Sequence, residues 1–326
     1  QSVISKSPYR ISLGGGGTDL PFYSERHGGF LITASINHYI TVSTAGRLLD
    51  DKILVQTTKT QFTETLDEIE HALLRAALRY FKFSKAIQVA TYSTLPTSTG
   101  LGASSTLMVG LVRSLSELIG KRPTTMEIAF TAHHIERNLL GFAGGIQDQY
   151  IAALGGIQIL RVEPSGAVNA QHLVIEEHNR HELERGLVLI YTGQARKSEK
   201  MIQSQEVDID RSCEIYHGIK EIGQNSIELL KQADVEGLGK AMDDHWLLKK
   251  RISKEISTSH LDDLYLQLKK LGSSGGKIIG AGGGGFFMMA VPGNVDAYVS
   301  GALQLGFRHL DWRFEFNGSH FIDSSP

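Results

Sequence analysis

The sequence reads as a mixed chain of strands and helices in two domains. Three observations predict this. The N-terminal part is β-prone, the stretch from Ser198 to Leu271 is mostly helical, and "KIIGAGGGGFFMMAVP" near the C-terminus reads as strand, glycine loop, strand. A length of 326 residues suits two ordinary domains or one large one. The change of character sets a boundary near Gly186, dividing residues 1–185 from 186–326.

Taken in order, "FLITASINHYITVST" carries two β-prone runs around Asn37 and His38, and "KILVQTT" continues the pattern. "LDEIEHALLRAALRYF" predicts a helix with Ile69, Leu73, Ala76, Ala77 and Tyr80 on one face. "AIQVATYS" alternates as a strand and runs into "PTSTGLGASS". Leu107, Leu111, Leu115 and Leu118 then recur at helical spacing. "TTMEIAFTAHHIERNLLG" is a second helix, capped by Thr124 or Thr125, with Gly141 near its end. "GIQDQYIAAL" is a short third helix. "GGIQILRVEP" and "GLVLIYTG" read as strands.

Composition narrows the function. A hydrophobic content of 41% and a charged content of 21% suit a packed core. The formal net charge of −2 argues against a general nucleic-acid or membrane-surface role. The one cysteine, Cys213, excludes an intrachain disulfide and suits a reducing compartment. No apolar signal core opens the sequence and no long apolar run crosses it, so a soluble cytoplasmic protein is expected. Nothing in the sequence specifies an oligomeric state.

The 35 glycines concentrate at Gly14–Gly17, Gly100–Gly102 and Gly280–Gly285. The middle cluster joins a predicted strand to a predicted helix. Unpaired N–H groups and aligned peptide dipoles at such a junction attract phosphate. By itself the stretch also fits a tight turn in which Ser104 only caps the helix. The P-loop pattern is absent, because no lysine follows Gly102 before the helix. A formal G-x-G-x-x-G occurs at Gly280, Gly282 and Gly285, but "FFMMAVP" after it reads as a strand and not a helix, which speaks against a dinucleotide fold.

Together, "SPYRISLGGGGTDLP", "PTSTGLGASS" and "KIIGAGGGGFFMMA" resemble, in order, the three signature motifs of the GHMP kinases. The run "RISLGGGGTDLPFYSERHGG" is most similar to the bacterial heptose 7-phosphate kinases of that family, with fucokinase-type sugar kinases as near neighbours. The resemblance implies a two-domain α+β fold. Its N-terminal domain would be a ribosomal-protein-like βαβ domain and its C-terminal domain ferredoxin-like, with ATP and substrate meeting between them.

The same resemblance assigns residues. Pro96, Gly100, Leu101, Gly102, Ala103, Ser104 and Ser105 would wrap the ATP phosphates, assisted by Gly282, Gly283 and Gly284. Ser104 and Glu136 would hold Mg2+; Ala103 and Ser105 depart from the family's G-L-G-S-S-A order. Asp148 would orient the acceptor hydroxyl and take its proton. Arg10 would keep Asp148 ionised and balance phosphate charge. Read without the resemblance, Glu136 is a solvated helical residue, Asp148 a helix cap and Arg10 an ion-pair partner. His133 and His134 do not form H-E-x-x-H, and no zinc site is expected.

Asp19 would accept hydrogen bonds from sugar hydroxyls. Galactokinases carry Glu-His where this chain has Gly16 and Gly17, a loss that opens space and disfavours galactose. Arg196 and Lys197, with Lys200 nearby, offer a site for a second substrate phosphate or a solvated basic turn; Lys6 is a further candidate. The implied reaction is ATP- and Mg2+-dependent phosphorylation of a sugar phosphate, D-glycero-D-manno-heptose 7-phosphate, at its anomeric hydroxyl. Its product would feed nucleotide-activated heptose and surface polysaccharide synthesis. An L-fucokinase, or a non-catalytic sugar- or nucleotide-binding regulator on the same fold, are the alternatives.

Overall fold

A computed structural model describes residues 2–195, 198–206 and 208–322. The first sheet is built on two long strands, β1 (Ser2–Gly14) and β2 (Gly29–Gly46), joined through α1 (Pro21–His27). The two β-prone runs predicted around Asn37 and His38 form one continuous strand. Pro8 pairs with Tyr39 and Tyr9 with Ile36, so Asn37 and His38 are a bulge inside β2.

Beyond β2 come β3 (Ile53–Gln56), β4 (Thr60–Thr63), α2 (Ala72–Tyr80) and β5 (Ile87–Ser93). The helix predicted from Leu66 is interrupted. Thr65 and Glu68 close a capping box on a 3-10 turn over Leu66–Glu68, and Ile69 leaves helical geometry to enter the core. α3 (Ala103–Leu118) and α4 (Thr125–His133) follow. Thr124 caps α4, with Glu127 closing its capping box. The chain then widens into a π-helical segment, His134–Leu139, before α5 (Gln147–Leu154), β6 (Ile157–Val162), β7 (Val168–His172) and α6 (Glu177–Gly186). β2 serves two neighbours on one side, pairing β6 along its first half and β5 along its second.

The second sheet begins with β8 (Leu187–Tyr191). After it come α7 (Ser198–Gln203), α8 (Ile209–Lys231), α9 (Val235–Lys250), α10 (Ser259–Lys270), β9 (Gly275–Ile278), β10 (Phe286–Ala290), α11 (Val295–Gln304) and β11 (Arg308–Leu310). Its order, β11-β8-β10-β9, is wholly antiparallel. This is the βαββαβ pattern of a ferredoxin-like domain, and the α+β expectation holds. β10 follows the third glycine cluster directly, as a strand.

The switch of sheets falls at Gly186–Leu187. The chain's end does not stay with the second sheet, however. Ile36 bridges Phe314, and β12 (His320–Phe321) pairs with β1, so one cut in sequence does not separate the two sheets. α8 crosses back onto the first sheet as well, where Gly223 packs on the Gly14–Gly15 turn. These contacts tie the two sheets together beside a cleft that runs between them.

Candidate active site

A cavity of about 1070 Å³ opens along the cleft, walled by β1, the Gly16–Leu20 turn, the Pro96–Ser105 loop, α5, α8, α9 and β9. Its floor is an ion pair between residues 138 apart in sequence. Arg10, in the middle of β1, donates from Nε to Asp148 Oδ1 at 2.7 Å and from Nη2 to Oδ2 at 3.1 Å. Its Nη1 is spent on the Gly100 carbonyl. The guanidinium is thus tied to both the Pro96–Ser105 loop and the first turn of α5. Burial alone would raise the Asp148 carboxyl; the charge and hydrogen bonds of Arg10 outweigh it and hold the group below the ordinary carboxylate range. Asp148 is therefore an anion at neutral pH with a partly exposed edge toward the cavity.

The Pro96–Ser105 loop lies between β5 and α3, as the sequence predicts. Gly102 is the N-cap of α3 with φ +82°, a left-handed conformation that brings its Cβ position against Asp148 and Arg10. Pro96, Gly100, Gly102, Ala103, Ser104 and Ser105 line the cavity. Leu101 does not: its side chain is in the core, and its carbonyl anchors the loop by accepting from Arg10 N at 3.1 Å.

Glu136 sits on the π-helical segment and is 1% exposed. π-Turns inside α-helices are often found at functional sites. Ser104 donates to Glu136 Oε1 at 2.6 Å and Ser105 to Oε2 at 2.7 Å. Gln149, which the sequence gave no reason to single out, adds a hydrogen bond from Nε2 to Oε2 at 2.7 Å. The two serines differ in setting. Ser105 is enclosed, whereas Ser104 is exposed on the cavity side.

The third glycine cluster departs from expectation. Gly280 and Ala281 reach the cavity, but Gly282, Gly283 and Gly284 are not among its lining. Gly282 packs on Ile256, Gly283 N donates to Ile256 O, and Gly284 lies against the Gln194 carbonyl. The cluster's tightest approach is to the Pro96–Ser105 loop. A Cβ on Gly285, at φ +94°, would lie 2.3 Å from Thr99 O. One glycine loop is the bed of the other.

Asp19 accepts from the Gln147 backbone N–H at 2.9 Å, and burial holds its carboxyl above the ordinary range. Gly16 and Gly17 both border the cavity, yet the room expected from their missing side chains is only partly free. At Gly17 it is filled by the Tyr216 ring from α8, 2.6 Å from where a Cβ would be. Gly16 faces Ser12 and His245. Arg196 and Lys197 lie outside the described residues. Lys200 is exposed on α7, and Lys6 stacks on Tyr39.

Among the cavity residues that escaped the sequence reading are Arg137, which pairs with Glu136 at 3.5 Å, and a basic group from the second domain, His245, Lys249 and Lys277. His245 and Lys249 are one turn apart on α9, and Lys277 is in β9. Lys249 donates from Nζ to Gly280 O at 2.6 Å.

Comparison with known proteins agrees with this geometry. Residues 69–156 match the GHMP kinases N terminal domain and residues 226–300 the GHMP kinases C terminal domain. The chain is 31% identical over 305 residues to the D-glycero-alpha-D-manno-heptose 7-phosphate kinase of Campylobacter jejuni, covering 89% of this chain and 90% of that one. It is 25% identical to the bifunctional fucokinase/GDP-fucose pyrophosphorylase of Arabidopsis thaliana, over 86% of this chain and 29% of that much longer protein. The crystal structure of a D-glycero-D-manno-heptose 1-phosphate kinase from Bacteroides thetaiotaomicron superposes with a TM-score of 0.83 at 25% identity, over 99% of this chain and 100% of that one. With its three glycine motifs gathered around one cleft, the chain belongs to the GHMP kinase family.

Proposed function

We propose that this kinase transfers the γ-phosphoryl group of ATP to the anomeric hydroxyl of D-glycero-D-manno-heptose 7-phosphate, giving the 1,7-bisphosphate. The observation that carries the reading is the Arg10–Asp148 fork, set between the phosphate loop and the Gly16–Asp19 turn. A hydroxyl that donates to Asp148 there also faces the N-terminus of α3. The carboxylate aligns the hydroxyl and takes its proton as the oxygen–phosphorus bond forms. Arg10 holds the carboxylate in one orientation and offsets the negative charge that gathers at the floor. The N–H groups of the loop and the first turn of α3 hold the donor phosphates. Asp19, fixed by the Gln147 backbone N–H, offers its remaining oxygen to a sugar hydroxyl.

The donor set at Glu136 and Ser104 fits Mg2+, a hard ion that takes one or two protein oxygens and leaves the rest of its shell to phosphate and water. Glu136, also held by Ser105, the Gln149 side chain and Arg137, can release the exposed Ser104 to share such an ion, and the ion would neutralise phosphate charge.

The heptose assignment is supported by the names of two relatives, a heptose 7-phosphate kinase in Campylobacter and a heptose 1-phosphate kinase in Bacteroides, and the 7-phosphate acceptor is taken from the first. The Arabidopsis likeness favours one rival, an L-fucokinase. Coupled ADP release with heptose 7-phosphate, free heptose and L-fucose separates them. A specificity constant highest for heptose 7-phosphate supports the proposal, and one highest for L-fucose overturns it.

A further inference from the structure

We infer that Lys277 and Lys249, with His245 beside them, form the seat of the acceptor's distal phosphate, on the Gly16 side of the cavity. The inference rests on the sugar-phosphate reading above.

The three side chains are 2%, 5% and 3% exposed, yet all line the cavity. Their surroundings are short of negative charge. Among the described residues the Lys277 side chain makes no hydrogen bond and no ion pair, and its charged neighbours are Lys249 and Arg10. Lys249 has one neutral acceptor, the Gly280 carbonyl, and feels Arg10 against it and Asp19 in its favour. A lone ammonium in a protein interior is expensive, and two adjacent ones are more so. A dianion arriving from the cavity is the partner this arrangement lacks.

Burial comes first, and the like charges add to it. Lys277 is pushed down to about 7 and Lys249 to about 8, while His245 is held well below its usual range. The lysines are poised to gain protons when an anion binds.

A second observation places the site. The Ser12 hydroxyl is buried and has no partner among the described residues. A Cβ on Gly16 would sit 2.9 Å from Ser12 Oγ and 3.9 Å from His245 Cε1. The missing side chain at Gly16 therefore leaves a gap between an unsatisfied hydroxyl and the basic cluster. The donor phosphates have their own cradle in the Pro96–Ser105 loop. The cluster stands by the turn that carries Asp19, where the acceptor lies in the proposed reaction, so its anion is the acceptor's own.

The test compares specificity constants for heptose 7-phosphate and free heptose in wild type, Lys277→Met, Lys249→Gln and Arg196→Ala. Each charge-assisted contact to a phosphate is worth roughly tenfold to a hundredfold. The ratio favouring the phosphorylated sugar should fall by about that factor in Lys277→Met and in Lys249→Gln. The Lys277→Met protein should melt no lower than wild type, because it loses an unpaired buried charge. Should it fail to fold, Lys249→Gln decides by the same ratio. Equal losses on both sugars would assign the lysines to the transferred phosphoryl group and overturn the inference. A ratio that falls only in Arg196→Ala would overturn it too, placing the phosphate at that turn. A wild-type enzyme that prefers free heptose overturns the sugar-phosphate reading itself, which the variants cannot mimic.

Discussion

Asp148→Asn tests the proposed chemistry most directly. The side chain keeps its shape, but one carboxylate oxygen becomes an NH2. Both oxygens of Asp148 accept from Arg10, at 2.7 and 3.1 Å. Whichever way the amide is turned, its NH2 therefore confronts an Arg10 N–H. The fork opens and the residue loses its fixed orientation along with its charge. Loss of a positioned base alone costs about 10²–10⁴ in rate. With orientation lost as well, the expected fall in kcat is about 10³–10⁴, equivalent to roughly 4–5.5 kcal/mol of barrier. ATP affinity, set by the loop and α3, should stay within about threefold by a fluorescent-nucleotide titration. Arg10→Met supplies the complement. Without the guanidinium, the main opposition to burial is gone and the Asp148 carboxyl rises, with Arg137 and Gln147 still pulling it down. The part of the acid limb of kcat/KM that Asp148 sets should then move to higher pH. A kcat for Asp148→Asn within tenfold of wild type, or an acid limb unmoved in Arg10→Met, would refute this account of the floor of the site.

Three further outcomes are expected. Ser104→Ala should raise the Mg2+ concentration needed for half-maximal rate about tenfold without lowering the melting temperature, because Ser104 is exposed and its loss leaves Glu136 with Ser105 and Gln149. Ser105→Ala should do the reverse and destabilise by about 1–3 kcal/mol, since buried partners lose a bond; thermal melts and Mg2+ titrations of both variants check the contrast. Gly285→Ala should raise KM for ATP at least tenfold, as its Cβ would force Thr99 and the loop aside; early melting with unchanged KM would show the contact to be structural only.

The sequence displayed some of this plainly. Glycines packed between a β-prone run and leucines at helical spacing disclose a loop that backbone must fill, and the structure puts that loop on the cavity. The Arg10–Asp148 pair is different. No periodicity links residues 138 apart, and only the resemblance of their motifs brought them together. Helix boundaries failed where tertiary packing outbid local preference, as at Ile69, whose burial ends the turn begun at Leu66. The basic cluster was missed for a simpler reason. In "DDHWLLKKRISK" a lysine looks like part of a solvated face. "GGKIIG" held the better clue, a charge in the middle of a strand whose other residues are all buried.

The glycine loops also explain how the two domains become one site. A phosphate loop on the first domain would be floppy alone, since its glycines stabilise no particular shape. Here it is held from three directions. Arg10 donates to the carbonyls of Gly100 and Leu101 from β1, Gly280 and Gly285 press on Gly100 and Thr99 from the second domain, and Lys249 holds the Gly280 carbonyl from α9. A shift of α9 or β9 therefore reaches the phosphate loop through Gly280, and the loop reaches Asp148 through Arg10. An anion drawn to Lys249 and Lys277 would tighten that chain from its far end. On the proposed assignments, acceptor binding and donor positioning would be mechanically joined by backbone that only glycine permits to pass so close. The two substrates should thus bind with mutual help, each lowering the apparent Kd of the other by the same factor.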